Sequence, residues 1–139
     1  VSDPLGATHV FEIKVRPYHC DALGHVNNAR YLEFLEEGRW AFWEGLGGFE
    51  VFERRRWVFM VVKIDVNYRQ AVNPHESVRV STRVSGLGNR SGSLRQEIHR
   101  IEDGALVTDA DVVFVIVDNA MGKALAMSEV TAEFSPGGD

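Results

Sequence analysis

The spacing of apolar positions changes twice along the chain. In FEIKVRP, apolar Phe11, Ile13 and Val15 alternate with Glu12, Lys14 and Arg16, the period of a half-buried strand, and Pro17 stops it. YHCDALGHVN then reads as a loop. From Asn28 to about Leu46 the period becomes helical: at ~100° per residue Tyr31, Leu35, Gly38, Phe42 and Leu46 share one face, opposite Glu33, Glu36, Glu37 and Glu44. Asn27 or Asn28 is the expected N-cap, and GLGG the expected stop. Gly38 costs roughly 1 kcal/mol against alanine in mid-helix, which predicts a close approach of this helix to a sheet. Trp40 projects with the glutamates, as a subunit contact or a lid would.

After the helix the pattern is nearly all strand. VVKIDVNYR alternates Val62, Ile64, Val66 and Tyr68 against Lys63, Asp65, Asn67 and Arg69; ESVRVSTRVSG alternates Val78, Val80, Thr82 and Val84 against Arg79, Ser81 and Arg83. GLGNRSG is a turn, SLRQEIHRI a strand, EDG a hairpin turn, and ALVTDADVVFVIVD a long strand dense in β-branched residues. NAMGK is a further turn before a short tail. The result is an α+β chain: strand, long helix, then about four antiparallel strands. One helix covers one face of such a sheet, and the last strand is apolar on both faces from Val112 to Val117, which predicts at least a dimer.

The totals fit one domain over residues 1–139, with 1–7 and 135–139 expected to fray. A net charge of −5 argues against a nucleic-acid partner. No apolar run reaches the ~20 residues of a membrane span. The opening VSDPLGATHV lacks the basic and apolar regions of a signal peptide, and the single cysteine, Cys20, forms no intrachain disulfide; both lead to the expectation of a cytoplasmic protein. Cys20 reads as a small packed side chain rather than a nucleophile. Five histidines without HExxH spacing suggest no metal site and no cofactor.

The motif Asp-x-x-Gly-His-Val-Asn-Asn-x-x-Tyr, here Asp21 to Tyr31 running into YLEFLEEGRW, resembles the hotdog-fold thioesterases of the 4-hydroxybenzoyl-CoA thioesterase family. IKVRPYH, HVNNARYLEFLEE, VNYR and GNRSG bring it nearest to the bacterial long-chain acyl-CoA thioesterase III type. The resemblance implies a long central helix wrapped by a curved antiparallel sheet of about five strands. It implies hydrolysis of medium- to long-chain acyl-CoA by a homodimer or homotetramer. Many relatives carry an acid where this chain has His19, so Asp21 is the only carboxylate of the loop.

A thioester carbonyl needs a nucleophile or activated water, and a positive dipole where the oxyanion forms. The first turn of the helix offers unpaired N–H groups at its positive end. The family pattern places the carboxylate at Asp21, as nucleophile or general base, and the carbonyl contact at the Asn28 N–H. Without the family pattern, Asp21 reads first as an Asx-turn residue. His25 either polarises the thioester or holds the loop, and Gly24 serves an unusual φ or a close substrate approach. Tyr31 is core or pocket wall. Asn67, Arg90 and Ser91 are the further candidates for substrate contact, partly from a second subunit. Tyr31, Leu35 and Phe59 can wall an acyl tunnel or simply pack the core, and Arg54 to Arg56 form a solvated face or a nucleotide dock. A hotdog module that binds acyl groups or proteins without chemistry is the alternative, and a hotdog dehydratase a third reading.

Overall fold

A computed structural model describes residues 4–134. The element order is β1 (His9–Lys14), α1 (Asn28–Gly45), α2 (Gly48–Arg55), β2 (Trp57–Tyr68), β3 (Ser77–Leu87), β4 (Gly92–Arg100), β5 (Leu106–Asp118), β6 (Lys123–Ala124) and α3 (Met127–Phe134). All strand pairs are antiparallel, in the order β1-β3-β4-β5-β2, with β6 added to β5. Short turns join β3, β4 and β5 into a meander. The crossing from the β1 edge to the β2 edge is made by α1 and α2, so α1 lies inside the curl of the sheet.

Helix α1 starts where the Asn27 side chain accepts from Ala29 N–H at 2.8 Å. Its inner face is sealed: Tyr31, Leu35, Phe42 and Trp43 are 2% exposed or less. A Cβ on Gly38 would stand 2.5 Å from Val80 Cγ1, so the glycine does permit the close approach to the sheet. Through that gap Gln96 of β4 donates to the Leu35 carbonyl and to Thr82 Oγ1, both at 2.9 Å, and accepts from Arg39 at 3.2 Å. Such a buried network stabilises only when its members are paired, and every heavy polar atom of the Gln96 side chain is used.

Three features differ from the sequence reading. First, α2 and α3 interrupt what reads as strand and tail. Phe52 and Phe134 bring them onto the indole of Trp43, with ring centroids 5.1 and 5.7 Å away. Glu133 of α3 receives both Arg54, at 3.2 Å, and Arg55. Two of the three clustered arginines are therefore ion-paired within the chain. Second, β2 bulges between Val61 and Lys63. The extra residue reverses the alternation, so Phe59 and Val61 face inward with Ile64 and Val66, while Val62 is 57% exposed. Third, Leu5, expected in a loose end, is buried in a 3-10 turn beside α3. The remaining terminal expectations, for residues 1–3 and 135–139, fall outside the described residues.

Candidate active site

The loop before α1 is closed by its own backbone. Asp21 N–H donates to the His25 carbonyl at 2.9 Å, Gly24 N–H to the Asp21 carbonyl at 3.0 Å, and Cys20 bridges to Val26. Gly24 sits at φ +81° with open space around its missing side chain, so backbone conformation is the reason for glycine here. Val26 N–H reaches the Val72 carbonyl at 3.1 Å and Asn27 N–H the His19 carbonyl at 2.9 Å, fixing the loop to its neighbours. His19 is buried behind it, with Nδ1 accepting from Arg16 N–H at 2.9 Å; burial chiefly, then the Arg30 charge, holds its pKa below the usual imidazole value.

A cavity of about 330 Å³ opens where this loop and the start of α1 face the end of β2. Asp21, His25, Asn28 and Tyr31 line it, together with Tyr68, Arg69 and Gln70. Asp21 Oδ1 accepts from Leu23 N–H at 2.9 Å, which is the Asx turn, and no hydrogen bond engages Oδ2 among the described residues. At the start of the helix, Ala29 N–H is taken by the Asn27 side chain and Arg30 N–H by the Asn27 carbonyl. Asn28, at the first helical position, has no acceptor within the helix. Asp21, with one carboxylate oxygen unbonded, and Asn28, whose N–H has no acceptor within the helix, therefore line one cavity at the positive end of an 18-residue helix. Tyr31 is 2% exposed, and burial raises its pKa, so its hydroxyl stays a donor, at 3.5 Å from the Gln70 carbonyl.

Behind the cavity wall lies a feature that the strand alternation conceals. Asp109 of β5 is 1% exposed and accepts from Arg69 and, at 3.0 Å, from Asn67, with Arg95 3.6 Å away. The bond from Arg69 pulls the Asp109 pKa below the ordinary carboxylate value, against the opposing effect of burial; Asn67 adds to the pull. Asn67 thus braces the strand end, and the cavity is lined by its neighbours Tyr68 and Arg69. An acid inside a β-branched strand, two residues before Asp111, was the available signal for Asp109. Its partners, some forty residues away, are legible only from strand pairing.

Arg90 and Ser91 are not brought to Asp21 within the chain. Their turn meets the other end of β5, where Arg90 donates to the Ala124 carbonyl at 2.8 Å. Among the described residues no three histidines, cysteines or acids cluster to hold a metal ion, and no helix is long and apolar enough to cross a membrane.

The family model of the thioesterase-like superfamily matches residues 15–134. The chain belongs to that superfamily. The superfamily's hotdog arrangement, a long helix wrapped by an antiparallel sheet, is the one described above. Over 116 residues the chain is 41% identical to the long-chain acyl-CoA thioesterase FadM of Escherichia coli strain K12, covering 84% of this chain and 88% of FadM. The crystal structure of YbaW, a probable thioesterase from Escherichia coli, superposes with a TM-score of 0.80 at 39% identity, covering 90% of this chain and 94% of that one. A 1,4-dihydroxy-2-naphthoyl-CoA thioesterase from Synechocystis shares the fold, with a TM-score of 0.77 at 14% identity over 87% of this chain and 90% of its own.

Proposed function

We propose that this protein is an enzyme that hydrolyses acyl-CoA to a free acid and coenzyme A. The observation that supports the reading is that Asp21 and Asn28 line one cavity at the start of α1 in a thioesterase-superfamily chain. The carbonyl oxygen accepts from Asn28 N–H, where the helix dipole stabilises developing negative charge without reorganisation. Asp21 then acts in one of two ways. As a base it takes a proton from water while the water oxygen bonds to the carbonyl carbon; the C–S bond breaks and the thiolate recovers a proton. As a nucleophile it forms an anhydride with loss of the thiolate, and water opens the anhydride. The carbonyl of His25 holds the loop in shape, and the residue lines the same cavity. Tyr31 walls the acyl side.

The working unit in this reading is a homodimer or homotetramer. Val58, Met60 and Val62 on the edge strand β2 are 40–57% exposed beside half-buried Val113, Val115 and Val117, an apolar surface that a second copy would cover. A neighbouring subunit would then bring Arg90 and Ser91 to the coenzyme. The substrate is a medium- to long-chain acyl group, by likeness to FadM. A cytoplasmic setting agrees with the free thiol of Cys20.

Free thiol release is measured over a panel from short to long acyl-CoA, with wild type, Asp21→Asn and Asp21→Ala in parallel. Hydrolysis is expected in wild type and is expected to be lost in both variants while they remain folded. The Asx turn at Asp21 favours a second reading, a module that binds acyl thioesters without cleaving them. Binding without thiol release by wild type would select it.

A further inference from the structure

Helix α1 packs over β1, β3 and β4, and this offset leaves the inward side chains of β2 short of cover. Phe59, Val61, Ile64 and Val66 are only half-buried, whereas Val78, Val80, Leu94 and Ile98 are sealed. Two cavities lie along this open seam between α1 and β2. One holds Asp21. The other, of about 190 Å³, is lined by Glu36, Arg39, Trp40, Phe59 and Val61. Leu32, Glu36 and Trp40, four residues apart, form one stripe of helix running between the two. From Tyr31 to Trp40 the helix advances about 13 Å at ~1.5 Å per residue, within reach of a medium-chain acyl group.

The second cavity contains an underused charge. Arg39 is 7% exposed, and its side-chain hydrogen bond among the described residues goes to a neutral amide, Gln96 Oε1. Gln96 is held by Leu35 and Thr82 and cannot turn toward the cavity. A guanidinium has five donors, and no carboxylate pairs with this one among the described residues. Glu36 lines the same cavity three residues earlier on the helix. The walls are otherwise apolar: Trp40, Phe59 and Val61. A methyl terminus would displace the solvent that the unpaired guanidinium N–H groups still reach and leave them unmet, which is costly. A carboxylate terminus would satisfy Arg39 but face the Glu36 charge. A hydroxyl accepts from Arg39 and donates to Glu36.

We propose that this second cavity is a subsite for the distal end of the acyl chain, and that Arg39 and Glu36 select chains carrying a hydroxyl group there. The assignment deepens the acyl-CoA thioesterase reading and rests on it.

The test uses matched CoA thioesters from octanoyl to tetradecanoyl, each plain and ω-hydroxylated, with wild type, Arg39→Met and Glu36→Gln. The readout is the ratio of kcat/KM within each pair, which loss of folded enzyme lowers equally for both members. Wild type is expected to favour the hydroxylated member roughly tenfold at one chain length, the worth of one hydrogen bond to a charged donor. Arg39→Met is expected to bring the ratio to one or below, and Glu36→Gln to reduce it in part. A wild-type ratio at or below one at every length, as when a second copy fills the cavity, overturns the proposal. So does a ratio unchanged by Arg39→Met. Dissociation constants for non-hydrolysable thioether analogues of the same pairs must show the same preference. Preference in binding without thiol release would overturn hydrolysis and keep the subsite; hydrolysis without preference would do the reverse.

Discussion

The two flanks of α1 meet the same sheet differently. Toward β3 and β4 the helix is in tight contact: Gly38 removes a side chain, Gln96 reaches the helix backbone, and the facing valines, leucine and isoleucine are 0% exposed. Toward β2 the inward side chains are half-buried and two cavities remain. One flank supplies apolar burial and a satisfied polar network, the terms that hold the fold. The other keeps open the space a ligand needs, with groups beside it that keep hydrogen-bonding capacity: a carboxylate oxygen, a first-turn N–H and the Arg39 guanidinium. Stability and chemistry are divided across a single helix, so substitutions on the two sides should fail in different assays.

The largest effect belongs to the open flank. Asp21→Asn is expected to lower kcat by about 10³-fold, within the usual range for removing a positioned base. Its thermal midpoint should remain within a degree or two of wild type, because the side chain is exposed and its Asx turn can be kept by the amide. A midpoint falling with activity would merge the two flanks and break the comparison. On the sealed flank, Gly38→Ala adds a methyl 2.5 Å from Val80 Cγ1 and 3.1 Å from Gln96 Nε2. Overpacking of this kind costs about 1–3 kcal/mol, more than the roughly 1 kcal/mol of helix propensity it recovers. Urea titration should show a lower midpoint with an unchanged slope.

Asp109 joins the two concerns, since an ion pair between its buried carboxylate and the exposed Arg69 braces the wall of the cavity. Its folded pKa is depressed, so its contribution is present above the unfolded carboxylate value of about 3.9 and is lost as pH falls through the lower folded value. Asp109→Asn is expected to lose about 1–3 kcal/mol at neutral pH. Melts at successive pH values should show the gap to wild type closing only below about pH 4. The smallest effect is expected for Tyr31→Phe, whose hydroxyl bond is long at 3.5 Å: about 0.5 kcal/mol of stability, at the lower end for one hydrogen bond, seen as a small shift in the same urea titration.

What the chain disclosed in advance follows the same division. The face of α1, its cap at Asn27 and the alternation of β3 are periodic or local, so they are legible from residues alone. Asp21, His25, Asn28 and Tyr31 lie within eleven consecutive positions, and the cavity includes all four. Helices α2 and α3 were not legible because eight residues each carry little local signal; Trp43 and Glu133, remote in sequence, hold them. The bulge at Val62 adds one residue to a strand, and alternation alone cannot show where the count slips. The Asp109–Arg69 brace and the Arg39 cavity depend on which strands pair and on the helix offset, which no short motif records. Arg90 and Ser91 lie away from Asp21 within the chain, and which residues a neighbouring subunit supplies is not written in one chain's periodicity.

The central claim is that a bare N–H at the start of α1 grips the thioester oxygen while Asp21 acts, and Asn28→Pro tests it most directly. Proline at the first helical position deletes that N–H and is otherwise welcome there. Asn27, at φ −66° and ψ 140°, already has the backbone that must precede a proline. With acyl-CoA as substrate, kcat is expected to fall by about 10²–10³-fold, the cost of one lost oxyanion donor, while the melting curve stays that of wild type. A folded Asn28→Pro protein that turns over acyl-CoA within twofold of wild type would contradict the account.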